Sequence, residues 1–577
     1  MVSSDRPRRL QHQGRSFAAS SSSSGAAFAL LFWWQSLTPT LIPRSWASQL
    51  IIGATCLAAG YVIGVLAGRW LRIPTRALRT FGHRSSGDAI RRHGRIILAA
   101  AWLIGVPLGS ALWMGWQNEQ RAFMGMPFIV PSDAVLMGAL TPPAGALVIL
   151  IGIVIARAVG AISRFIQRQV PGRPPVAIIA LFVVVSGIVL GRTVLLRSGS
   201  AVAYSVYAPL NDETSEGTRA PDSPSVSGSD ASFVAWDTLG LQGRDFVASV
   251  TTAQELAMFH GREAAVTEPV RAYVGVRSAA STEERAALAV RELERAGGFE
   301  RKLLVVWVPT GSGWMIPEAA AALELLHRGD TAIVAIQYSF LPSLIGVFLD
   351  AGLANEAGRT LFDAVRARWS QLPRDRRPKL LLFGKSLGTA GVEAPFVGRD
   401  ASESVANLVA GIDGALIVGP KHSNPIHAQI TREREPASPA WQPVFARGRS
   451  VRFLSRDPNP PALGGDWPAP RIVYLQHPSD PVTFWSLDVL WRRPDWLDEP
   501  RGYDVPERLR WFPIVSGVQA VGDLLDQLAP PPGFGHVYST DYVDGWVSVA
   551  RPENWSTADT ERLERLIAGM AGGESEP

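Results

Sequence analysis

The sequence predicts two parts: a bundle of membrane-spanning helices, followed by an α/β domain with a mostly parallel sheet. The first part follows from apolar runs that approach the roughly 20 residues needed to cross a bilayer. The second follows from short β-branched runs that alternate with amphipathic stretches, as in sheets covered by helices on both faces. Because 577 residues exceed one ordinary domain, we assign residues 1–200 to the membrane region, 201–231 to a flexible linker and 232–577 to the α/β domain.

Four apolar runs are long enough to span a membrane, and a fifth near residues 26–43 is shorter and contains Pro39. This fifth run could be the core of a signal peptide, but no small-residue cleavage site follows it cleanly, so a short first span is favoured. The number of spans is therefore four or five. No acidic residue lies in the middle of a span, which favours a simple anchor over an ion path. The four long runs lie near residues 48–68, 96–116, 135–156 and 176–196.

The first 200 residues carry 20 arginines, no lysine and 4 acidic residues. Most of these arginines precede residue 26, follow the run near 48–68 or follow the run near 135–156. Positively charged segments stay in the cytoplasm, so the pattern predicts a multi-pass protein of the cytoplasmic membrane with everything after residue 200 outside. It also argues against nucleic-acid binding, because the arginines lie between long apolar runs.

Several kinds of site are excluded by the residues that the chain lacks. Cys56 is the only cysteine, so neither an internal disulfide nor a cysteine-based zinc site is possible within one chain. His422 and His427 have no acidic partner at metal-site spacing. The chain contains no P-loop and no G-x-G-x-x-G motif after a strand. We therefore expect no metal and no cofactor.

The α/β domain is expected to begin after a polar segment, residues 211–231, whose Ser, Pro, Gly and acidic residues predict a flexible linker. Residues 421–470 are rich in Pro and Arg and predict a cap-like insertion over the sheet edge. The predicted strands are Val270–Val276, Leu303–Val308, Ala332–Gln337, Leu380–Phe383, Ala415–Val418, Ile472–Leu475 and Trp511–Val515, and the predicted helices are Thr282–Arg295, Pro317–His327 and Asn355–Trp369.

One strand runs into a candidate nucleophile. The apolar run Leu380–Phe383 ends in Gly384-Lys385-Ser386-Leu387-Gly388, a G-x-S-x-G motif that is followed by a helical stretch. This is the layout of a nucleophile elbow, where a strand turns sharply into a helix and presents a serine hydroxyl. Gly384 and Gly388 suit the crowded turn because neither carries a Cβ. Alone, the motif is a weak signal that does not exclude an ordinary glycine turn. The interpretation therefore depends on whether the chain also offers a base and an acid for the serine.

A serine nucleophile needs a base, and the base needs a carboxylate that orients it. Asp480 lies in the loop that follows the predicted strand Ile472–Leu475, at the sheet edge where such an acid belongs. Asp480 could instead only cap the turn before Pro481. Asp413 is a rival acid, but it precedes its predicted strand and should lie at the wrong edge of the sheet.

The best candidate for the base is His536, within the Gly- and Pro-framed loop Pro530–Tyr538 near the C-terminus. The alternative is an ordinary surface histidine. Other histidines are less suitable, because His327 falls in a helix, His422 and His427 lie in the predicted insertion, and His477 shares the loop of the acid. The predicted helical stretch Gly517–Leu528 separates His536 from the last predicted strand, so its loop must fold back toward the serine.

An oxyanion hole requires two donors for the charge that develops on the substrate oxygen. The backbone N–H of Leu387, directly after the serine, is the expected first donor. The loop that follows Leu303–Val308 contains Thr310-Gly311-Ser312-Gly313, and Thr310 and Gly311 are the candidates for the second amide. The same residues could also form only a flexible turn.

Together, these stretches resemble a family of bacterial, chiefly actinobacterial, integral-membrane α/β-hydrolases that join a multi-span N-terminal region to a C-terminal catalytic domain. The resemblance implies an α/β-hydrolase fold and a Ser-Asp-His triad at Ser386, Asp480 and His536. Relatives are expected to carry an acidic residue before the serine, where this chain has Lys385, and that difference bears on substrate preference. The matching stretches are Pro309–Trp314, Phe383–Gly391 with Glu393, Asn424-Pro425, Pro436–Pro439, Ser479–Trp485, Arg510–Pro513 and Gly533–Tyr538.

The sequence thus predicts a membrane-anchored serine hydrolase that cleaves an ester or thioester, with a lipid or an envelope acyl compound as substrate and membrane lipids as neighbours. Two alternatives stay open. The same site could transfer the acyl group to an envelope sugar or lipid hydroxyl, or the hydrolase fold could serve as a catalytically inactive scaffold or receptor.

Overall fold

The computed structural model describes residues 23–70, 84–169, 202–343, 345–346, 352–461, 463, 465–498 and 500–570. The chain divides into two compact units. The helical unit contains the chain up to Gly191 together with Leu487–Pro494 and Val505–Asp526. The α/β unit contains Arg192–Ser486, Asp495–Asp504 and the chain from Gln527 onward. The two units are therefore not separated at a single point in the chain, because two segments from its second half belong to the helical unit.

Within the described part of the helical unit, three helices are long and apolar enough to cross a membrane, at Trp46–Trp70, Arg92–Met124 and Pro131–Ala161. They contain the predicted runs near 48–68, 96–116 and 135–156, whereas the predicted run near 176–196 lies outside the described residues. The run near 26–43 forms a helix over residues 23–36 followed by irregular chain. That helix is shorter than the roughly 20 residues that a span requires. The full helices extend over Trp46–Trp70, Arg84–Met124 and Pro131–Gln169.

A short helix from the second half of the chain, Val515–Leu525, packs in the helical unit against Trp46–Trp70. Val515 joins Ile52 and Cys56 in a buried apolar cluster. The prediction of a strand at Trp511–Val515 is wrong. The aromatic and β-branched residues that suggested a strand lead directly into this helix, where they supply packing surface.

The α/β unit is built on a seven-stranded sheet in which every neighbouring pair is parallel. Its strand order is β1-β3-β2-β4-β5-β7-β6. The central strands are buried along their length except at Lys379, the first residue of β4, as expected when helices cover both faces. The strands are β1 Val270–Val274, β2 Leu303–Val308, β3 Thr331–Ile336, β4 Lys379–Lys385, β5 Gly414–Val418, β6 Val451–Leu454 and β7 Arg471–Leu475.

Six strands match predicted ones to within two residues at each end, and β6 is the exception. It lies inside residues 421–470, so the later part of the predicted insertion forms an edge strand of the sheet. Its alternation of buried and half-buried residues, with Arg452 among them, gave no continuous apolar run. The longer helices of the α/β unit are 202–212, Gly240–Ala248, Ala253–His260, Thr282–Arg295, Pro317–Leu326, Leu353–Gln371, Leu387–Glu393, Ala401–Gly411, Pro425–Arg432, Asp541–Ala550 and Thr557–Met570.

The segment predicted as a flexible linker is instead folded over much of its length. Residues 202–212 form a helix, and Val226 is fully buried and bridges to Arg271 in β1. Glu292 accepts hydrogen bonds from Ser227 Oγ (3.2 Å), Ser232 Oγ (2.7 Å) and Phe233 N (2.9 Å). The serines that suggested disorder therefore hold the segment against helix Thr282–Arg295.

Replacement of Glu292 tests this attachment. Glu292→Ala leaves two hydroxyls and one backbone N–H without their buried acceptor, which costs about 2–4 kcal/mol. We expect limited proteolysis of the detergent-solubilised protein to cut residues 211–234 at least about tenfold faster. Glu283→Ala, at an exposed position of the same helix, is the matched control and should not change the rate. Equal cleavage of both variants would show that Glu292 does not hold the segment.

Candidate active site

Ser386 occupies a strained turn between β4 and helix Leu387–Glu393. Its backbone has φ 53° and ψ −120°, a region that residues with a Cβ rarely adopt. The Ser386 N–H donates to Val418 O at the end of β5 (3.0 Å), which secures the turn to the neighbouring strand. A strained serine at the end of a central strand is the geometry of a nucleophile elbow.

The glycines of the motif are required by close packing at this turn. A Cβ on Gly388 would lie 2.2 Å from Val308 O, and one on Gly384 would lie 2.7 Å from Gly388 O. Both distances are far below van der Waals contact. The helix after the serine can therefore approach the ends of β2 and β4 only with glycine at these two positions.

Asp480 and His536 form a buried pair. The Nδ1 atom of His536 lies 2.7 Å from Asp480 Oδ2, which also accepts from Tyr538 Oη (2.6 Å). The other carboxylate oxygen accepts from Val482 N (2.8 Å). Burial alone would raise the pKa of Asp480, but the His536 charge and these hydrogen bonds together bring that pKa below its usual value. Asp480 is thus held as an anion that fixes the imidazole ring.

Ser386 and His536 both lie next to the chain at Val418-Gly419. Ser386 N bonds to Val418 O, and a Cβ on Gly419 would lie 2.5 Å from His536 Cε1. The Nε2 atom of His536 is buried and has no hydrogen-bond partner among the described residues. Within the described part of the chain, no other donor therefore competes for the ring nitrogen that would accept the proton of a serine hydroxyl.

The rival residues are engaged elsewhere. Asp413 accepts from Leu380 N (2.7 Å) at the start of β4, the sheet edge opposite to Ser386. His427 Nε2 bonds to Gln476 Oε1 (2.9 Å), and burial lowers the pKa of His427 to about 4. His422 is exposed. Neither of these histidines contacts Asp480.

The loop that contains Asp480 holds the loop that contains His536 through Gly535, the residue before His536. Gly535 N donates to Ser479 Oγ (2.9 Å), and Gly535 O lies 2.9 Å from His477 Nδ1. Ser479 in turn donates to the buried Asp504 carboxylate (2.6 Å). His536 follows no strand, so these contacts supply the positioning that a strand end would otherwise provide.

His477 is held as an imidazolium by its two neighbours. Its Nδ1 faces a carbonyl oxygen, and its Nε2 lies 2.8 Å from Asp541 Oδ2, so both ring nitrogens face acceptors and both carry a proton. Its ring stacks on Tyr538 at 4.3 Å. Burial acts to lower the pKa of His477, but the hydrogen bond and charge of Asp541 raise it above the usual value. Asp541 also pairs with Arg456 (2.6 Å).

The predicted oxyanion donors differ in their surroundings. Leu387 is the first residue of its helix, where a backbone N–H has no intrahelical acceptor. In contrast, Thr310 N donates to Trp314 O (3.2 Å), and Gly311 N donates to Ser343 Oγ (3.0 Å). Either second amide would have to release its present acceptor before it could bind a substrate oxygen.

Lys385, the residue before the serine, is buried with Nζ at 5.5 Å from the Trp314 ring centre, 5.8 Å from Tyr538 and 5.9 Å from Tyr542. Three aromatic faces therefore surround its charge. Among the described residues, no group of three His, Cys, Asp or Glu side chains could hold a metal.

The helix that begins the predicted insertion is anchored beside the nucleophile helix. Glu393, at the end of Leu387–Glu393, accepts from Ile426 N (2.8 Å) and Tyr474 Oη (2.9 Å). Asn424 Nδ2 donates to Thr389 Oγ1 (2.8 Å). Burial, partly offset by these bonds, raises the pKa of Glu393 to about 7. These contacts explain structurally two of the motifs noted in the sequence, Glu393 and Asn424-Pro425.

Sequence reasoning did not identify Tyr538, His477 or Ser479 as parts of this site. The available signal was their spacing, because each lies within three residues of Asp480 or His536. No single-sequence pattern distinguishes such supporting side chains from ordinary loop residues.

Comparison with known families gives two matches. A model described as "Alpha/beta-hydrolase family" matches residues 270–563, and one described as "Alpha/beta-hydrolase family N-terminus" matches residues 37–250. No curated protein and no solved structure is significantly similar to the chain.

The charge on His477 gives a pH-dependent prediction. Because its pKa is raised on folding, its stabilising contribution is complete below the unfolded pKa of about 6.5 and is lost as the pH rises through the folded value. We expect His477→Gln to lower the free energy of unfolding by an amount on the order of 1–3 kcal/mol at pH 5.5, and by progressively less above pH 7. The thermal midpoint in detergent, measured across this pH range, should fall accordingly.

His260 supplies a control of opposite sign, because burial lowers its pKa. The stabilising contribution of His260 should be present above about pH 6.5 and lost as the pH falls. His260→Gln should therefore lower the free energy of unfolding most at high pH. An effect of His477→Gln that is constant from pH 5.5 to 8 would mean that His477 is neutral.

Proposed function

Because the chain belongs to the alpha/beta-hydrolase family, we propose that it is a membrane-anchored serine hydrolase that cleaves an ester or thioester through an acyl-enzyme intermediate. The observation that carries the proposal is the buried Asp480–His536 pair (2.7 Å), which lies next to the same Val418-Gly419 chain as a strained serine. A carboxylate on one ring nitrogen and an unoccupied second nitrogen are what a histidine needs to act as the base of a serine nucleophile.

In the proposed mechanism, Ser386 Oγ attacks the acyl carbonyl while His536 Nε2 takes its proton. Asp480 keeps the other ring proton on Nδ1 and stabilises the imidazolium that forms. The Leu387 N–H binds the oxyanion, joined by an amide of the Thr310-Gly311 loop. His536 then protonates the leaving alcohol or thiol, and water attacks the acyl-serine by the reverse sequence.

The proposed location is the extracytoplasmic side of the cytoplasmic membrane. The arginine pattern supports it, and so do contacts inside the helical unit. Residues 505–526 contact the turn after helix 23–36, and Arg508 pairs with Glu119 (3.1 Å) near the end of Arg84–Met124. The turn precedes the candidate span Trp46–Trp70, and the charge pattern puts the beginning of that span and the end of Arg84–Met124 outside. A lipid or envelope acyl compound is the substrate class that this location favours.

Loss of the nucleophile is the direct test. Ser386→Ala should abolish labelling by a fluorophosphonate probe and lower the turnover of a short acyl ester about a thousandfold or more, since the attacking oxygen is gone. Ser370→Ala, at an exposed helical position, controls for handling of the membrane protein. Full ester turnover by Ser386→Ala would refute the mechanism, and a wild-type protein that no probe labels would favour an inactive scaffold. Products formed with an added alcohol acceptor would distinguish acyl transfer from hydrolysis.

The two candidate acids can be compared directly. Asp480→Asn retains the shape but loses the negative charge that holds the imidazole, so kcat should fall by about ten thousandfold. Asp413→Asn should leave kcat within about twofold, because Asp413 lies at the opposite sheet edge. Equal losses in the two variants would contradict the assignment of the acid.

A further inference from the structure

Helix Val515–Leu525 has its polar and apolar faces reversed relative to a helix in water. Gln519 and Asp523 are each 2% exposed, whereas Val521 is 47% and Leu525 is 55% exposed. A helix at a water-facing surface buries its apolar stripe and exposes its polar one. This helix turns Gln519 and Asp523 into the helical unit and Val521 and Leu525 outward, as membrane-embedded helices do.

The inward polar groups all have partners within the helical unit. Asp523 accepts from Thr40 Oγ1 (2.7 Å) and Leu41 N (3.3 Å). Gln519 Nε2 donates to the carbonyl oxygens of Ser36 and Thr38, both at 3.1 Å. Hydrocarbon offers no replacement for a missing hydrogen bond, so a helix that enters it must satisfy its polar groups internally. The observed contacts meet that requirement.

The helix also packs on a candidate membrane span in the way that membrane helices do. A Cβ on Gly522 would lie 2.2 Å from Ile52 Cδ1, so a glycine permits close approach of the two helices. Val515 and Val518 join Ile52 in the same apolar cluster. The neighbouring Ile51 is 62% exposed, so the span on which this helix packs also carries an apolar side chain on its exposed surface.

The length and flanks of the helix define how it can meet a bilayer. Its 11 residues extend about 16 Å, roughly half of the ~30 Å hydrocarbon core. Charged residues stand on both sides, at Arg508 and Arg510 before it and Asp526 after it. Trp491, in the other segment of the helical unit, is 64% exposed, as is common for tryptophan at a membrane interface.

We propose that helix Val515–Leu525 is a half-membrane helix whose face at Val521 and Leu525 contacts the acyl chains of one leaflet. The occupant of this face is lipid hydrocarbon, continuous with the lipid around the candidate spans. The proposal stands independently of the serine hydrolase mechanism.

Site-directed labels test the proposal in the full chain reconstituted in phosphatidylcholine–phosphatidylglycerol vesicles. Cys56→Ala removes the only native thiol, and single cysteines at Val521→Cys and Leu525→Cys then take a nitroxide label. Both labels should be several-fold more accessible to oxygen than to a water-soluble nickel complex. Val397→Cys is the matched control, because this valine is similarly exposed (43%) on the α/β unit, and its label should show the reverse preference. Labels at 521 and 525 that behave like the one at 397 would overturn the proposal.

A second measurement needs no substitution. Wild-type protein in vesicles that contain a diazirine phospholipid is irradiated, and the adducts are located by mass spectrometry. Adducts at 515–525 that accompany those on Trp46–Trp70 would support the proposal. Labelled spans with an unlabelled 515–525 would refute it. Neither readout depends on enzymatic activity, so failure here leaves the proposed function to its own tests.

Discussion

The structure of the candidate site depends on one constraint: the loop of His536 is held by the loop of Asp480. His536 follows no strand, so nothing in the sheet itself fixes its position. The Asp480 carboxylate fixes the imidazole ring of His536. The backbone N–H of Gly535 donates to Ser479 Oγ, and the carbonyl oxygen of Gly535 faces His477 Nδ1. The second of these contacts requires a proton on Nδ1 of His477, and the Asp541 carboxylate faces the other ring nitrogen, where it favours a proton as well. The buried pair of His477 and Asp541 thus helps to determine where His536 lies.

The sequence predicted most of the sheet because its central strands are buried on both faces. β2 and β5 are short, continuous runs without a polar residue, and runs of this length bounded by turn residues are typical of buried strands. Edge positions carry a weaker signal, and β6 was therefore missed. Trp511–Val515 was misassigned because an apolar run has the same composition in a strand and in a helix that packs on other apolar helices. Composition is equally ambiguous for polar residues such as Ser227 and Ser232, because it cannot reveal that Glu292 accepts hydrogen bonds from their hydroxyls.

Local motifs identified the candidate chemical groups, and long-range contacts determined their surroundings. The elbow at Ser386 could be recognised because its glycines are neighbours in sequence and are needed for a local steric reason. The acceptor of the Gly311 amide is Ser343, a residue whose contact depends on the fold. Likewise, nothing local indicates that Tyr538 donates to Asp480. A single sequence can therefore nominate the reacting residues of such a site, but the hydrogen bonds that position them are tertiary.

The order of the chain links the candidate site to the helical unit. Between Asp480 and His536, residues 487–494 and 505–526 belong to that unit, and His536 N donates to Gln527 O (3.3 Å), directly after the second segment. Gln519 and Asp523 have their partners in residues 36–41. A chain cut at the predicted linker would therefore leave buried polar groups and an apolar face without partners, immediately before the loop that carries the base. It follows that the half after residue 231, taken alone, lacks the partners of these groups, and that the N-terminal region supports residues 505–526 structurally in addition to any role as an anchor.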